Sequence, residues 1–552
     1  MTQFNFNGFN GSSMKRSVTP KTKTFIIITV ILVVLMLGFI YLVHAPFNPH
    51  SPGFIFYLIL FGGFILIELT LGNLFSIISP KTYFKGFKFL SFGTIICIAL
   101  IIISSLVTSA IFNAKEYAAR IIVNDVEFTE IDEVDFEKTP IIDRVSTEAL
   151  GDRVMGQMPE LVSQFEVSDD YTQISYKDSV YRVTPLEYAD FYKYLINRNE
   201  GIPAYILVDS TTGEAELVKL KDLGLNGMRY VPSAMFNENL NRKLQMEYPT
   251  SIFGSPSFEI DEDGHPWYVC TTYTFKAMGN KRMVNGVVLF DPITGESTKY
   301  DDPLDAPKWV DRIYPESLVM EEVNNYGSLK DGYLNSVFGQ KNVFMASEGY
   351  NYLEKDGDIW IYSGLTSANS DAANLGFVLV DLRTHECMKI ASAGADEFSA
   401  MNSAEGNVKN FGYKATFPLL VNVKDRPVYL MALKDDAGLI KMYAMVDATD
   451  YQKVASVTID EGLEALKKKF LGNDVTNVKE DELKETTLEI ADVRYLVVDN
   501  TTRVYITDTL GNEYKLTLNT KNEDTVAFLK AGDSIRVKYL ESDVRSITEI
   551  TK

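Results

Sequence analysis

Few side chains in this sequence have the chemistry of a catalytic nucleophile or a general base. The chain has only four His and three Cys in 552 residues, and only His385 and Cys387 are close enough to act together. Two-residue spacing places both side chains on one face of a strand, where an imidazole could activate a thiol. The alternative is a solvent-facing His beside a small apolar Cys at a hairpin, which we expect. Gly-x-Ser-x-Gly is also absent, and we predict no catalytic residue.

A group of acidic residues resembles the start of a calcium-binding loop. Glu259, Asp261, Asp263 and Gly264 have the spacing of such a loop, but its twelfth position is Cys270, where a bidentate Glu is needed. An Asp-Gly hairpin turn explains the same residues without an ion. The sequence also lacks His-Glu-x-x-His, a phosphate-binding Gly-Lys-Thr loop and a dinucleotide fingerprint. We therefore predict no metal site and no cofactor.

Aromatic pairs are the remaining candidates for ligand contact. Trp267-Tyr268 and Tyr350-Asn351-Tyr352 could serve a protein surface or a carbohydrate. Core or cross-strand packing is the commoner fate of such pairs. A disulfide could join Cys270 to Cys387, but we expect the two in strands of different structural units.

Charge is distributed very unevenly along the chain. Residues 1–113 carry seven Lys or Arg against one acid, Glu68, so the rest of the chain has a net charge of −27. A region that acidic repels phosphate backbones, which argues against nucleic-acid binding. A solvated, soluble surface is the plain interpretation of the remaining 439 residues.

Three apolar runs are long enough to cross a bilayer, which takes roughly 20 helical residues. They are Thr24–Val43, Phe54–Ser79 and Phe89–Asn113. Lys and Arg residues precede the first run and separate the second from the third, whereas residues 44–53 have none. This bias predicts a multi-pass protein of the cell membrane with a cytoplasmic N-terminus and with residues 114–552 extracytoplasmic.

Glu68 is the one ionisable group expected inside the membrane, with Asn73 just over one helical turn away. An acid there is costly unless it faces other helices or water, which makes a functional role one hypothesis. The alternative, which we favour, is a polar contact between helices or hydration near a helix end. Residues 1–23, rich in Phe, Asn and Gly, are expected to form a disordered cytoplasmic leader.

One pattern recurs between residues 151 and 472. Asp209, Asp291 and Asp381 each end an apolar run and begin Asp-x-x-Thr-Gly-Glu, except that the third copy has His385 in the Gly position. Asp447 begins a fainter fourth copy, with Tyr451 in that position. Asp bonds the backbone two residues on and Gly adopts positive φ, so the motif predicts a hairpin turn. The third and fourth turns should be strained or differently built.

Each copy also has an earlier turn signal, and segments with helical features lie between the strand pairs. The early signals lie at Asp178, Asp263, Asp356 and Asp425. The predicted helices are Ala234–Met246, Asp331–Phe338 and Gly462–Leu471, the last after a capping box from Thr458 to Glu461. Shared Ser-x-Phe-Gly phrases at Ser251 and Ser336 are interpreted as helix C-termini. One helix plus antiparallel strands is therefore the expected unit.

These residues resemble a known family. A Trp-containing strand, a variable connection and an apolar strand ending in Asp-x-x-Thr-Gly-Glu look like the PepSY domain, best between Trp267 and Glu296 and between Trp360 and Glu386. The resemblance covers roughly residues 150–472 and rests on a short motif. It implies secreted or membrane-attached bacterial binding and regulatory modules, often linked to control of peptidases, and it supplies no catalytic residue.

The remaining segments complete the predicted organisation. Residues 114–150 are expected to form a stalk and residues 473–487 an acidic linker. Five short β-rich runs within residues 488–552, separated by turn residues, predict a small barrel similar to an OB-fold. The fold class is thus α+β: three transmembrane helices, an extracytoplasmic array of repeats at 151–472 and a C-terminal β-barrel.

The function predicted from these features is non-enzymatic. We expect a membrane-anchored binding or scaffolding protein of the bacterial cell envelope, in contact with the lipid bilayer and with a protein partner at the outer face. The first alternative is a regulatory or sensory subunit of a membrane transporter or protease complex. The second is a cryptic envelope hydrolase.

Overall fold

A computed structural model provides the architecture. It describes residues 19–277, 279–367, 373–472, 484–498, 501–518, 522–540 and 545–551. The predicted leader therefore lies outside the described residues up to 18, and so do residues 473–483 of the predicted linker. The chain divides into two compact units, one made of Met1–Phe398 with Leu419–Pro427 and the other of Ser399–Pro418 with Val428–Lys552.

The first unit begins with three apolar helices, α1 (Pro20–Val43), α2 (Phe54–Leu74) and α3 (Pro80–Val107). By length and composition each could cross a membrane. The predicted start of the third helix at Phe89 is wrong, because Ser79 caps the helix nine residues earlier by accepting a hydrogen bond from the Thr82 amide at 3.2 Å. Pro80 then occupies the first helical position, where a missing amide costs nothing.

A short helix and a strand follow α3. They are α4 (Ala110–Ala118) and β1 (Val123–Val126). The predicted end of the third span at Asn113 is also wrong, since Asn113 belongs to α4 and has a non-helical φ of −126°. β1 lies within the segment predicted as a stalk, residues 114–150, and α4 overlaps the start of that segment.

The next elements form the first sheet, with strand order β2-β4-β5-β6 and β3 beside β4. Their bounds are α5 (Arg144–Gly156), α6 (Pro159–Val162), β2 (Phe165–Val167), β3 (Thr172–Tyr176), β4 (Ser179–Tyr188), α7 (Phe191–Asn197), β5 (Ala204–Asp209) and β6 (Ala215–Lys219).

The second sheet has the order β7-β9-β10-β11 with β8 beside β9. Its elements are α8 (Leu240–Glu247), β7 (Ile252–Phe253), β8 (Ser257–Ile260), β9 (Pro266–Ala277), β10 (Asn280–Phe290) and β11 (Ser297–Tyr300). α8 begins later than the predicted Ala234, because Asn239 caps it by accepting a hydrogen bond from the Arg242 amide at 3.1 Å.

The third sheet has the order β12-β14-β15-β16-β1, with β13 beside β14. Its elements are α9 (Glu316–Leu329), β12 (Phe344–Ala346), β13 (Asn351–Lys355), β14 (Asp358–Ser367), β15 (Ala373–Asp381) and β16 (Cys387–Ala395). β1 joins this sheet in parallel, with Val123 opposite Cys387.

The helix predicted at Asp331–Phe338 is present but short: Tyr333 and Leu334 are helical and lead into a π-helical turn, Asn335–Gly339. The long helix α9, which lies upstream, was not predicted. The two Ser-x-Phe-Gly phrases are not equivalent helix ends, because Ile252–Phe253 of the first phrase is the strand β7.

The second unit holds the fourth sheet, with order β17-β19-β20-β21. The elements of this stretch are α10 (Glu397–Asn407), β17 (Lys414–Ala415), β18 (Leu419–Asn422), β19 (Pro427–Lys434), β20 (Ile440–Asp447), β21 (Val454–Thr458) and α11 (Gly462–Gly472), of which β18 belongs to the first unit. The Glu461 carboxylate accepts a hydrogen bond from the Thr458 amide at 3.0 Å, as the predicted capping box requires.

Five further strands close a ring of pairings, β22-β23-β24-β26-β25 and back to β22, with β24 and β26 parallel. They are β22 (Lys484–Val498), β23 (Thr501–Asp508), β24 (Glu513–Thr517), β25 (Ser534–Leu540) and β26 (Arg545–Thr551), with α12 (Glu523–Val526) before β25. Their inward side chains, among them Ile490, Ile506 and Val537, form a separate core.

The core of the first unit joins neighbouring sheets. One buried cluster contains Ile206 and Val208 of β5 together with Phe258 of β8 and Phe290 of β10. The rings of Tyr205 and Phe258 lie 5.9 Å apart across this junction. The first two sheets therefore share one hydrophobic core.

Candidate functional site

The repeated Asp residues are occupied in turn geometry. One oxygen of Asp209 accepts the amides of Thr211 and Thr212 at 2.7 and 3.0 Å. Asp291 and Asp381 make the same pair of bonds to the residues two and three positions on. Asp447 does so as well, at 2.9 and 3.1 Å. These carboxylates build the hairpins, as predicted, and leave little capacity for a ligand.

The third and fourth turns differ from the others in the predicted way. His385 adopts a φ of 67° where Gly213 and Gly295 have 77° and 79°, which is a strained conformation for a residue with a Cβ. It keeps the same bond, from its amide to the Asp381 carbonyl at 3.0 Å. The fourth turn is closed instead by the Asp447 amide and the Lys453 carbonyl at 3.1 Å.

His385 and Cys387 do not form a catalytic pair. The His385 Nε2 lies 2.7 Å from a Glu322 carboxylate oxygen, and its ring stacks on Tyr314 at 4.2 Å. The expectation of a solvent-facing His is therefore wrong. Cys387 is fully buried, and this burial raises the pKa of its thiol to about 12. Such a thiol is a poor nucleophile at neutral pH.

The calcium-loop candidate is a hairpin, as the Asp-Gly turn predicted. Asp261 accepts hydrogen bonds from the amides of Asp263 and His265 at 3.0 and 2.9 Å, and from the Trp267 indole at 3.1 Å. Gly264 has a φ of 81°. Among the described residues, no group of three or more His, Cys, Asp or Glu side chains is placed to hold a metal ion.

Glu259 has a different role that sequence reasoning missed. It is fully buried, and its carboxylate accepts the Asp311 amide at 2.8 Å and the Ser257 hydroxyl at 2.9 Å. Asp311, equally buried, accepts the Ser175 amide at 2.8 Å. Burial raises the pKa of Glu259 to about 7, and burial together with the charge of Glu259 raises the pKa of Asp311. This pair links β3, β8 and the segment before α9.

The aromatic and cysteine candidates serve packing. Tyr350 and Tyr352 meet edge to face at 5.7 Å, and the Tyr352 hydroxyl donates to Glu316 at 2.9 Å. Only Tyr352 of the two lies in a strand. Cys270 and Cys387 are both buried free thiols in different sheets, so no disulfide joins them.

Glu68 contacts a neighbouring helix. The Thr29 hydroxyl of α1 donates a hydrogen bond of 2.9 Å to one Glu68 oxygen of α2. This is the polar contact between helices that the sequence offered as the alternative to a functional acid.

A cleft in the first unit is the strongest candidate for a binding site. It encloses about 500 Å³. One wall is the segment 131–140, which we call the strap; another is the end of β13 with its turn, and a third is β18. Tyr362 and Leu379 from the third sheet form part of an apolar floor. The cleft thus has the concave, largely apolar shape typical of binding sites.

The strap is held against β18 by backbone and side-chain hydrogen bonds. The Val134 amide donates to the Asn422 carbonyl at 2.9 Å, and the Asn422 side-chain amide donates to the Ile131 carbonyl at 2.6 Å. Glu133 and Asn422 form a parallel bridge. The strap therefore behaves as a short added strand along β18.

Asn422 carries an unpaired acceptor at the cleft wall. Its side chain is only 3% exposed, and its Oδ1 has no hydrogen-bond partner within the described part of the chain. A buried carbonyl oxygen without a donor costs about 1–3 kcal/mol.

Acidic side chains dominate the rim of the cleft. Six acids line it against two lysines: Asp132, Glu133, Asp135, Asp178, Glu354, Asp356, Lys138 and Lys355. The lysines contact acids of the same rim, Lys138 reaching Glu354 at 3.8 Å and Lys355 contacting Asp356. The rim therefore favours a cationic ligand.

A second cavity extends the cleft. It encloses about 510 Å³ and shares Ser175, Asp178, Asp356 and Gly357 with the first. Burial and the charge of Asp381 raise the pKa of its Asp358 to about 6. The two cavities are therefore neighbours that share four lining residues.

A wider depression lies elsewhere in the first unit, around Glu238 and Lys243. Its buried acid is already occupied, because Glu238 accepts hydrogen bonds from Arg229 and from the Tyr194 hydroxyl, both at 2.7 Å. No unpaired polar side chain comparable to Asn422 lines it among the described residues.

The sequence matches no protein-family model, and no curated protein matches it. The geometry of the cleft is therefore the main guide to function. In the sequence, the acidic stretch from Asp132 to Glu137 was the available signal for the rim. Nothing in the sequence marks Asn422, since only the fold brings β18 to the strap.

Proposed function

We propose that this chain is a membrane-anchored, non-enzymatic binding protein of the bacterial cell envelope, and that its cleft binds a cationic, partly apolar segment of a partner protein. The observation that carries the proposal is the apolar cleft whose rim has six acidic side chains against two lysines. A Lys or Arg side chain supplies a positive charge, apolar methylenes and N–H donors in one group.

The proposed orientation rests on the distribution of cations. Lys21 and Lys23 lie at the start of α1, and Lys81, Lys85 and Lys88 lie on the first turns of α3. These ends would be cytoplasmic, and the cleft would face the outside. Protease treatment of intact cells that left residues 150–552 protected would contradict this orientation.

The array is proposed to consist of repeats of one PepSY-like unit, followed by an OB-like barrel. Four sheets with equivalent central strand order and four Asp-based turns support the first part. The ring of five strands with one parallel pair supports the second. Both are consistent with a binding or scaffolding role.

Peptide binding to the full chain in lipid nanodiscs tests the proposed site. A labelled peptide with alternating Lys and Leu residues should bind, and its charge-reversed Glu analogue should not, because the rim repels anions. Binding should weaken as salt increases. Equal binding of the two peptides, or no binding of the Lys peptide, would overturn the proposal.

Charge-neutralising variants locate the binding within the chain. Asp132→Asn combined with Asp178→Asn and Asp356→Asn should weaken the Lys peptide about tenfold, or ~1.4 kcal/mol. A matched control neutralises three exposed acids outside the cleft, Asp222→Asn, Glu296→Gln and Asp301→Asn. An equal effect of both triple variants would show nonspecific charge attraction instead of a site.

A regulatory or sensory subunit of a membrane transporter or protease complex is the second candidate. Contacts between the outer part of the unit and the ends of the apolar helices favour it: the Tyr41 hydroxyl donates to Asn237 at 2.7 Å, and Asn280 donates to the Ser105 carbonyl at 2.7 Å. Exchange of α1–α3 for an unrelated anchor distinguishes the two candidates, since retained cellular activity excludes a specific role for these helices.

A further inference from the structure

The path of α9 shows which part of the first unit lies nearest the end of α3. α4 begins three residues after the last residue of α3. Arg120, just after α4, contacts Glu321 and Glu322 near the middle of α9. Leu329 at the end of α9 packs instead on Ala114, Tyr117 and Ala118. α9 therefore runs back toward the end of α3. The two contacts lie roughly 11 Å apart along the axis of α9.

The chain beyond α9 continues in the same direction and then turns. Tyr333 packs against the cluster to which Ala110 also contributes. Leu334 and the π-helical turn Asn335–Gly339 come next; Leu334, Val337 and Phe338 are exposed, and Phe338 is 81% exposed. No charged residue occurs between Asp331 and Lys341. An uncharged turn with three exposed apolar side chains thus lies beside the exit of α3.

A second exposed apolar group lies beside the end of α1. Arg242 donates a hydrogen bond to the Tyr41 carbonyl at 2.9 Å and covers the Tyr41 ring at 4.4 Å. Arg242 also bonds the carbonyl of Phe236, which is half exposed. Phe236 contacts α7 through Phe191 at 6.4 Å, and α7 exposes Tyr192 and Ile196, the latter by 71%.

The hairpin between β9 and β10 also contacts this end of the three apolar helices. The Gly279 amide donates to the His50 carbonyl at 3.2 Å, in the connection between α1 and α2. The Asn280 side chain donates to the Ser105 carbonyl at 2.7 Å and to the Thr108 hydroxyl at 2.9 Å, at the end of α3. Contacts to the end of α1, to the connection between α1 and α2 and to the end of α3 thus hold the unit against this end of the three apolar helices.

We infer that these two apolar groups, Leu334-Val337-Phe338 and Tyr192-Ile196-Phe236, insert into the outer lipid interface. The inference rests on the proposed membrane anchoring but not on the proposed ligand. Water exposure of such groups is unfavourable, at about 25 cal/mol per Å² of apolar surface. A bilayer continuous with α1–α3 covers both groups at once, whereas a protein partner would have to contact two separate sites.

Quenching of Trp fluorescence by brominated lipids tests the inference in the full chain. The chain has three Trp, none in α1–α3, and the wild type measures their background. Phe338→Trp and Ile196→Trp should each add a component of which about half or more is quenched. Leu37→Trp in α1 is the positive control, because this residue lies within the proposed membrane span and its added component should be quenched.

Leu223→Trp is the matched control within the same unit. Leu223 is 41% exposed and lies beside Gly264, at the opposite end of β9 from Ala277 and roughly 35–40 Å away along the strand. Its added component should not be quenched. If the components added by Phe338→Trp and Ile196→Trp resemble that of the Leu223→Trp control while the component added by Leu37→Trp is quenched, the inference is wrong although the anchoring stands.

Discussion

Acidic side chains in this chain occupy three distinct environments. Asp209 and its equivalents accept hydrogen bonds from the backbone amides of their own turns. Glu259 and Asp311 are fully buried; burial raises the pKa of both, and the charge of Glu259 further raises the pKa of Asp311. The rim acids of the cleft, such as Asp132 and Asp356, are exposed. Only this third group offers charge to a ligand, so the net charge alone says little about where binding occurs.

The buried Glu259 predicts a pH-dependent stability. Its pKa is raised in the folded state to about 7 from an ordinary value of 4.5, so the folded chain binds more protons between these values. Stability should therefore fall as pH rises from about 4.5 to about 7 and then level off. Glu259→Gln cannot ionise and should show a smaller fall, measured by urea unfolding followed by Trp fluorescence.

The exposed neighbour Glu262 provides the control for this measurement. Glu262→Gln should leave the pH profile unchanged. A profile of Glu259→Gln identical to that of the wild type would show that Glu259 is not protonated in the folded protein.

Cys387 predicts low thiol reactivity. A buried thiol whose pKa is near 12 is almost entirely protonated at pH 8, so alkylation by iodoacetamide should be at least about a hundredfold slower than for an ordinary thiol. Mass spectrometry with and without denaturant measures this rate. Rapid alkylation of Cys387 in the folded chain would revive the hypothesis of an activated nucleophile.

At the level of elements, α9 contacts both the third sheet and the segment that follows the three apolar helices. One of its acids, Glu322, is buried and contacts both Arg120 and His385. The left-handed His385 is thus explained by its side chain, which reaches this helix where a Gly could not. Glu321, by contrast, is partly exposed and contacts Arg120 and Arg282.

Removal of Arg120 should destabilise the first unit strongly. Arg120→Ala leaves the buried Glu322 without its permanent positive charge, at a cost of about 3–5 kcal/mol. Thermal unfolding monitored by Trp fluorescence suits this test, because all three Trp residues lie in the first unit.

Arg282→Ala is the matched control, because Arg282 contacts the same helix from a more exposed position, with 3.2 Å between its guanidinium and Glu321. This substitution should lower the free energy of unfolding by at most about 1 kcal/mol. Equal losses of unfolding free energy for the two variants would mean that the burial of Glu322 does not increase the cost of removing its partner.

For the whole molecule, local signals predicted more than distant contacts. Asp-Gly and Asp-x-x-Thr-Gly-Glu indicated the hairpins because turn geometry depends on neighbouring residues. α9 was missed although Leu318, Val319 and Val323 have helical spacing. The cleft could not be predicted, since Ile131 and Asn422 meet only through tertiary structure.

The parallel pairing of β1 with β16 has a consequence for the order of folding. Val123 lies opposite Cys387, so the third sheet cannot be completed until nearly all of the first unit has been synthesised. Closure of so long a loop carries a high entropic cost, and contacts this distant in sequence slow folding. β1 stays without its partner strand during that interval and is open to wrong pairing with other strands. Early insertion of α1–α3 would tether β1 at the membrane surface and limit the volume that it must search.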